Sequence, residues 1–202
     1  MVLLLIISAV LSYLIGSVNT SIIVSKLIGK TDIRNHGSGN AGATNTLRVL
    51  GKKAALFVVI GDGLKGVISI LLVRGICRAL NIDSAIPVYF AGVSAILGHN
   101  FPVFFGFKGG KGILTSLFIV LMIDWRIGLL ILAIAVGIIA ATRFVSLGSC
   151  VGSALFLVFA LIFHWGDMWF IGFAIIMSVM AIIKHRTNIV RLMNGTESKI
   201  KF

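Results

Sequence analysis

Long apolar runs dominate this sequence and constrain its fold more than any other feature. About 20 apolar residues in a helix cross a bilayer, and the first run, residues 2–28, exceeds that length without the cleavage pattern of a signal peptide. Hydrophobic residues make up 58% of the chain, which excludes the soluble class. The candidate spans are residues 2–28, 53–75, 84–98, 113–123, 127–141, 145–163 and 167–183. The sequence predicts one all-α polytopic membrane domain over residues 1–202, with seven transmembrane helices.

Lysine and arginine are unequally divided between the two sets of loops. With the amino terminus outside, fourteen of the 18 lie in cytoplasmic loops or the carboxyl-terminal tail, three outside and one, Lys65, within a span. Cytoplasmic loops carry the excess of these residues in membrane proteins. We therefore expect the amino terminus outside, the carboxyl terminus in the cytoplasm, and every motif below on the cytoplasmic face. The net charge of +12 belongs to these loops, so no nucleic acid is predicted as a partner.

The run at residues 113–123 is short for a span. As a helix it rises only about 16 Å, against a hydrocarbon core of about 30 Å. Either the helix begins nearer Gly109, or the segment is re-entrant with the next one, in which case five spans replace seven. Both alternatives leave the motif loops on the same face.

A polar, glycine-dense stretch at residues 36–48 separates the first two runs. Its Gly37-Ser-Gly-Asn-Ala-Gly42 matches the dinucleotide-binding pattern, but that pattern is informative only within a βαβ unit, and none is predicted. Glycines let backbone N–H groups converge on an anion beside a helix start. A helix end with a tight turn explains one or two glycines, but not the polar side chains that accompany them. The candidate anion-binding residues are Ser38, Gly39, Asn40, Thr44, Asn45 and Arg48.

A second glycine-rich stretch occupies residues 98–112. It is not a Walker A loop, because Phe105 stands where the first glycine belongs and Gly112 stands in place of Ser or Thr. Two lysines and three glycines before a helix still suit phosphate. His99 is either a hydrogen-bonded structural residue or part of the site, and the nearby phenylalanines form an interfacial belt or the mouth of an acyl-chain groove. The candidates are His99, Lys108, Gly109, Gly110, Lys111 and Gly112.

The third cluster follows the last span, at residues 184–191. If it is helical, His185, Asn188 and Arg191 share one face at three-residue spacing. A basic tail on anionic lipid is the alternative, which explains the charges but not Asn188. The carboxylate of Glu197 is expected to pair with a basic neighbour.

Charged residues inside a span are costly unless they are paired. Asp62 and Lys65 are three residues apart, which favours a local ion pair over the lining of a polar cavity. The six acidic residues are scattered singly, and Cys77 and Cys150 lack metal-ligand spacing. No metal and no cofactor are predicted.

Together these motifs resemble those of the bacterial acyl-phosphate:glycerol-3-phosphate acyltransferases, the PlsY family. The resemblance rests on residues 37–45 with Arg48, on Gly98-His-x-Phe-Pro102 with residues 107–112, and on His185-Arg-x-Asn188 with Glu197. Asp62-x-x-Lys65-Gly66 and Thr142-Arg143 with Ser146-Leu147 are also similar to family features. The departure is Ile113-Leu114, where Val-Ala is usual.

The resemblance implies a seven-helix enzyme of the bacterial inner membrane. Such an enzyme transfers a fatty acyl group from acyl phosphate to the sn-1 hydroxyl of glycerol 3-phosphate, and it uses neither acyl-CoA nor acyl carrier protein as donor. The implied partners are these two substrates and membrane lipid, with no obligate protein partner.

The resemblance also implies roles for individual residues. Ser38 and Arg48 contact acyl phosphate, and Lys111 clamps phosphate. His185 and Asn188 hydrogen-bond around the reacting groups. The implied glycerol 3-phosphate contacts are Gly109, Gly110 and Gly112.

Two other functions use related features. A transporter of organic phosphates also needs a cationic cavity, but an inverted repeat, which favours it, is not visible in the sequence. A CDP-alcohol phosphotransferase needs clustered aspartates that the chain lacks. The transporter is the alternative that we keep.

Overall fold

The computed structural model describes residues 1–200, and every regular element in them is helical. The first five α-helices are α1 (Val2–Ser17), α2 (Thr20–Ile28), α3 (Ala43–Ala79), α4 (Ala85–Asn100) and α5 (Ile113–Ile123). The other four are α6 (Trp125–Thr142), α7 (Val145–Phe163), α8 (Met168–Lys184) and α9 (Arg186–Met193). Short 3-10 helices at Ile33–Asn35 and Val103–Phe105 lie in the motif loops.

The chain divides into two compact units, Met1–Met122 and the part from Ile123 onward. In the first unit α4 packs along α1, and α3 packs against α1, α2 and α4. Small residues allow the closest of these approaches. A Cβ on Gly16 would lie 2.0 Å from the carbonyl oxygen of Ala95, and one on Gly98 would lie 2.2 Å from that of Tyr13. Such contacts suit helices that associate in lipid.

The run at residues 2–28 contains a break within one candidate span. Val18 is extended, and the side chain of Asn19 caps α2 by accepting a hydrogen bond from the backbone N–H of Ile22 at 3.1 Å. The break leaves the carbonyl oxygen of Val18 available, and Lys65 donates to it. The uninterrupted helix expected from hydropathy is therefore wrong in detail.

The helix α3 also has a break, at Gly51, where φ is 83°. Glycine adopts this left-handed conformation without the steric cost of a Cβ. The break separates a short arm, residues 43–50, from the long apolar part of α3. The arm carries the end of the first motif.

Within residues 1–200, five segments are long and apolar enough to cross a membrane, or six if α8 and α9, bent by 58°, count as one. A multi-pass helical membrane protein is therefore confirmed, while the number seven stays a prediction.

The short helix α5 begins at Ile113. Extension back to Gly109, one of the two alternatives, is wrong, because Gly112 is left-handed at φ 78° and cannot continue a right-handed helix. At the other end, the guanidinium of Arg74 donates to the carbonyl oxygen of Met122 at 2.7 Å. The helix is therefore held at its carboxyl end by α3.

In the second unit α7 packs against α6 and α8. Its core includes edge-to-face contacts of Phe156 with Phe170 and Phe173, with ring centroids 5.9 and 5.8 Å apart. This packing lies at the start of α8, and the third motif begins at the other end of that helix.

Candidate substrate site

The first loop, residues 36–42, is shaped by a side chain from the arm that follows it. Asn45 is 1% exposed, and its Oδ1 accepts a hydrogen bond from the N–H of Ser38 at 2.9 Å. Its Nδ2 donates to the carbonyl oxygens of Ile33 at 3.2 Å and His36 at 2.9 Å. Gly37 is left-handed at φ 60°, and a Cβ there would lie 2.3 Å from Asn45 Oδ1. Glycine is therefore required where the loop wraps around this amide.

The remaining predicted residues of the first motif surround the start of α3. Ser38, Gly39 and Arg48 are exposed, and Asn40 and Thr44 are partly buried. Gly42 provides no side-chain cap, so the first N–H groups of α3 lack that usual partner. Thr44 and Arg48 are one turn apart on the same face of the arm. This end of the arm has the features of an anion-binding helix start.

Asn45, predicted to bind substrate, uses its amide within its own loop. Both of its amide hydrogens and its carbonyl oxygen bond to the backbone of the loop and of the preceding 3-10 helix. The amide thus shapes the backbone beside Ser38, and a direct contact of Asn45 with substrate stays a prediction.

The second loop, residues 106–112, packs closely over His99. The N–H of Gly110 donates to the carbonyl oxygen of His99 at 3.2 Å. A Cβ on Gly109 would lie 2.0 Å from that oxygen, and one on Gly110 would lie 2.2 Å from His99 Nε2 and 2.4 Å from the carbonyl oxygen of Ala41. Any larger residue at these positions would push the loop away. Because Ala41 belongs to the first loop, the two loops meet here.

Two lysines belong to the second loop. Lys108 is exposed and Lys111 is partly buried. Both flank the glycines that approach His99 and Ala41. The structure thus brings the first two motifs together within one unit.

The ion pair predicted within the second run, residues 53–75, is present. Lys65 Nζ lies 2.9 Å from Asp62 Oδ1, and both residues are buried. The same ammonium lies 2.8 Å from His99 Nδ1 and donates to the carbonyl oxygen of Val18 at 3.2 Å. An ammonium group only donates, so Nδ1 of His99 accepts and the ring hydrogen is assigned to Nε2. The ion pair thus orients the histidine on which the second loop rests.

Sequence reasoning missed a residue that connects the two loops, Arg34. Its Nη1 donates to the carbonyl oxygens of Phe105 at 2.7 Å and Lys108 at 3.1 Å, while Asp32 holds the rest of the guanidinium. The available signal was the Asp-x-Arg spacing, in which the aspartate also accepts from the arginine N–H. From the sequence, Arg34 is only one of the charges of the cytoplasmic loops.

The third motif lies in the second unit, where α8 ends and α9 begins. His185 is buried at this bend, with Nδ1 2.8 Å from the carbonyl oxygen of Ala181. A carbonyl only accepts, so this bond assigns the hydrogen to Nδ1. Asn188 follows on the first turn of α9 and is also buried. Whether this motif joins the two loops in one site stays a prediction.

Glu197 connects the residues of the third motif. Its Oε1 accepts hydrogen bonds from Asn188 Nδ2 at 2.7 Å and Ser146 Oγ at 2.8 Å, and its Oε2 accepts one from Arg191 Nε at 2.7 Å. Burial alone would raise the pKa of Glu197, but these three hydrogen bonds and the charge of Arg191 outweigh it and lower that pKa. The predicted pairing of Glu197 with a basic neighbour is confirmed.

The fold and the two loops define a class: a multi-pass helical membrane protein that presents contacting, cationic, glycine-rich loops suited to phosphate. The sequence profile of the family described as "Glycerol-3-phosphate acyltransferase" matches residues 6–195. The chain belongs to this family, and it is an acyltransferase enzyme.

Individual relatives agree with the family match. The glycerol-3-phosphate acyltransferases of Thermoanaerobacter pseudethanolicus and Clostridioides difficile are 47% and 43% identical, each over 96% of this chain and 95% of the relative. That of Coxiella burnetii is 40% identical over 97% of this chain and 98% of its own length.

Solved structures agree as well. The chain is similar to the crystal structure of PlsY (YgiH), an integral membrane glycerol 3-phosphate acyltransferase, in its glycerol 3-phosphate form. The TM-score is 0.87 at 37% identity, over 98% of this chain and 96% of that one. The lysophosphatidic acid form matches with a TM-score of 0.84 at 36% identity, over 98% and 95%. The resemblance to the PlsY family found in the motifs is confirmed.

Proposed function

We propose that the enzyme transfers a fatty acyl group from acyl phosphate to the sn-1 hydroxyl of glycerol 3-phosphate. The products are lysophosphatidic acid and inorganic phosphate. The observation that carries the proposal is the contact between the two glycine-rich loops at Gly110 and Ala41. Two backbone segments that are each suited to binding phosphate therefore lie side by side. The glycerol 3-phosphate and lysophosphatidic acid forms of the similar crystal structure support the acceptor and the product.

We propose the following placement of the protein in its membrane. It is a single domain of seven transmembrane helices in the bacterial inner membrane, with its amino terminus outside and its carboxyl terminus in the cytoplasm. The excess of lysine and arginine in one set of loops supports this orientation. The active site then lies on the cytoplasmic face.

Two sets of residues are assigned to the substrates. Ser38 and Arg48 contact acyl phosphate, with Gly39, Asn40 and Thr44 beside them. Lys111 clamps a phosphate with help from Lys108, while the backbone at Gly109, Gly110 and Gly112 approaches glycerol 3-phosphate. Asn45 and His99 position these two loops. His185 and Asn188 are proposed to hydrogen-bond around the reacting groups.

Acyl phosphate is a mixed anhydride and needs no activation by a nucleophilic side chain. In the proposed step the sn-1 oxygen bonds to the acyl carbon, and the bond from that carbon to the bridging phosphate oxygen breaks. The hydroxyl proton passes to a phosphate oxygen of the donor. Positioning and charge stabilisation are the contributions of the protein.

The lysine and arginine side chains of the proposed site can stabilise two adjacent phosphates. One pair of unit charges about 4 Å apart contributes about 4 kcal/mol at an effective dielectric near 20, before desolvation. Several cations can thus offset the repulsion between two phosphates. The enzyme is therefore proposed to need no metal. No cofactor and no obligate protein partner are proposed either.

The test supplies purified protein in detergent with palmitoyl phosphate, glycerol 3-phosphate and a chelator. We expect lysophosphatidic acid and phosphate in equal amounts, and no product when palmitoyl-CoA replaces palmitoyl phosphate. A transporter makes no lysophosphatidic acid, so absence of this product from folded protein supports that alternative. Product from palmitoyl-CoA alone contradicts the proposed donor.

Direct transfer has its own test. The intact mass of wild-type protein, quenched during turnover, is expected to show no acyl adduct. A stable acyl-serine at Ser38, lost in Ser38→Ala, would contradict direct transfer and make Ser38 a nucleophile.

A further inference from the structure

We propose that Arg34, held by Asp32, is a positioning residue that fixes the second loop against the first. The inference rests on the proposed function, because its consequence is the affinity of the second loop for the phosphate of glycerol 3-phosphate. Arg34 itself is not proposed to touch a substrate.

The guanidinium of Arg34 is held in one orientation by Asp32. Nε donates to Oδ1 at 3.0 Å and to Oδ2 at 3.2 Å, and Nη2 donates to Oδ2 at 2.7 Å. The backbone N–H of Arg34 also donates to Oδ1 at 3.0 Å. The carboxylate thus secures both the backbone and the side chain of the arginine, which is the fork geometry that favours arginine over lysine.

The remaining nitrogen of the guanidinium reaches the start of the second loop. Nη1 donates to the carbonyl oxygens of Phe105 and Lys108. These two carbonyls flank Gly106 and Phe107, which are both left-handed, at φ 66° and 59°. A single nitrogen therefore bonds to both ends of a strained turn. Lys108 immediately precedes the glycines that approach His99.

The backbone at Arg34 is fixed to the first loop. Ile33, its neighbour, is fully buried and gives its carbonyl oxygen to Asn45. A Cβ on Gly39 would lie 3.3 Å from the carbonyl oxygen of Arg34 itself. One residue thus contacts the first loop through its backbone and the second loop through its side chain.

Substitutions can separate the effect of the charge of Arg34 from the effect of its guanidinium geometry. Arg34→Lys keeps the charge, but lysine has no planar fork with which to hold Asp32 while it reaches two carbonyls. Arg34→Gln removes both the charge and the fork. Lys30→Gln is the matched control, because Lys30 is an exposed cation four residues away that is not part of the proposed site.

The first measurement is the split between KM and kcat at saturating palmitoyl phosphate. Loss of a charge-assisted hydrogen bond corresponds to about tenfold in affinity or more. We expect Arg34→Lys and Arg34→Gln to raise KM for glycerol 3-phosphate about tenfold, with a smaller change in kcat, and Lys30→Gln to leave both within about twofold. A wild-type KM for Arg34→Lys would overturn the proposal, because charge alone would then suffice.

A second measurement needs no turnover, so it separates failure of this inference from failure of the proposed donor. Glycerol 3-phosphate is expected to raise the thermal unfolding midpoint of the wild type and of Lys30→Gln, and to raise it less for Arg34→Lys. An equal rise in all three proteins would overturn the proposal even if wild type is active. Wild type that shows this pattern but makes no product would overturn only the donor.

A double-variant cycle tests the route of the effect. If Arg34 acts through the second loop, the effects of Arg34→Lys and Gly109→Ala will overlap. The double variant will then raise KM by a smaller factor than the product of the two single increases. Independent, multiplying effects would overturn the proposed route. If Arg34→Gln does not fold, Asp32→Asn takes its place; it keeps the arginine, and we expect a smaller KM increase in the same direction.

Discussion

Lys65 Nζ lies 2.8 Å from His99 Nδ1, deep within the first unit. The bond joins the Asp62–Lys65 ion pair in α3 to the histidine that supports the second loop. Charged groups at such depth are costly unless they are paired, and here the pair also determines which nitrogen of His99 carries its hydrogen. The ion pair is therefore expected to affect both stability and the geometry of the site.

Replacement of Lys65 tests both effects. Lys65→Met leaves Asp62 buried without its cation, which costs about 3–5 kcal/mol in comparable buried pairs. We expect a lower unfolding midpoint in detergent, together with loss of acyl transfer. The control is Asp62→Asn with Lys65→Met, which removes both charges and is expected to regain part of the stability but not the activity. Full activity of the double variant would show that the orientation of His99 does not depend on Lys65.

The glycines of the second loop should be far more sensitive to substitution than a glycine with open space beside it. Gly110→Ala places a methyl group 2.2 Å from His99 Nε2, so the loop must shift. We expect a raised KM for glycerol 3-phosphate. Gly172→Ala is the matched control, because nothing lies within 4 Å of the position of its Cβ and alanine favours the helix. Equal KM values for the two variants would contradict the packing of the loop over His99.

Asn45 should act through the shape of the first loop. Asn45→Ala removes one acceptor and two donors that the backbone uses, and each buried backbone group left without its partner costs about 1–3 kcal/mol. We expect reduced stability, and we also expect a large loss of activity because the first loop loses its shape. Asn35→Ala changes an exposed asparagine nearby and should behave as wild type. If Asn45→Ala is as stable and active as Asn35→Ala, the loop does not depend on this amide.

The pH dependence of stability should reveal the Asp32–Arg34 pair. Hydrogen bonds from Arg34 lower the pKa of Asp32 from 3.8 to about 2. The charged carboxylate therefore stabilises the fold fully above about pH 4, and this contribution is lost as the pH falls toward 2. After solvent screening it is on the order of 1–2 kcal/mol.

Asp32→Asn provides the comparison. Unfolding measured from pH 6 down to pH 2 should show the variant less stable at pH 6 and the difference shrinking below about pH 4. A difference that is constant with pH would contradict the lowered pKa of Asp32.

Much of the fold follows directly from hydropathy. Runs of apolar residues located α6, α7 and α8 to within a few residues, because lipid requires every backbone group of a span to be bonded within a helix. The average hydropathy of residues 2–28 does not show the break at Val18, although Ser17 and Asn19 are polar. It also does not show that Lys65 donates to the carbonyl oxygen of Val18. Nor does it locate the bend at Gly51, since glycine is also common within membrane helices.

The sequence indicates which residue types belong to the candidate site, but it does not indicate their hydrogen-bond partners. Glycines, lysines and the Asp62–Lys65 spacing indicated an anion site and an ion pair. The sequence does not show that Asn45 turns inward to its own loop, because an asparagine suits a ligand and a backbone equally well. It shows even less that Arg34 reaches carbonyls 71 and 74 residues away. Such long-range contacts depend on how the helices pack.

The most direct test of the central claim follows the bridging oxygen of the donor. Palmitoyl phosphate carrying oxygen-18 in the oxygen that bridges the acyl carbon and phosphorus is supplied with glycerol 3-phosphate to the purified enzyme. The masses of both products are then measured by mass spectrometry. Acyl transfer by attack at the acyl carbon predicts that each lysophosphatidic acid formed is unlabelled and is accompanied by one phosphate carrying the label. Label in released palmitate without lysophosphatidic acid, or no consumption of palmitoyl phosphate by the folded protein, would contradict it.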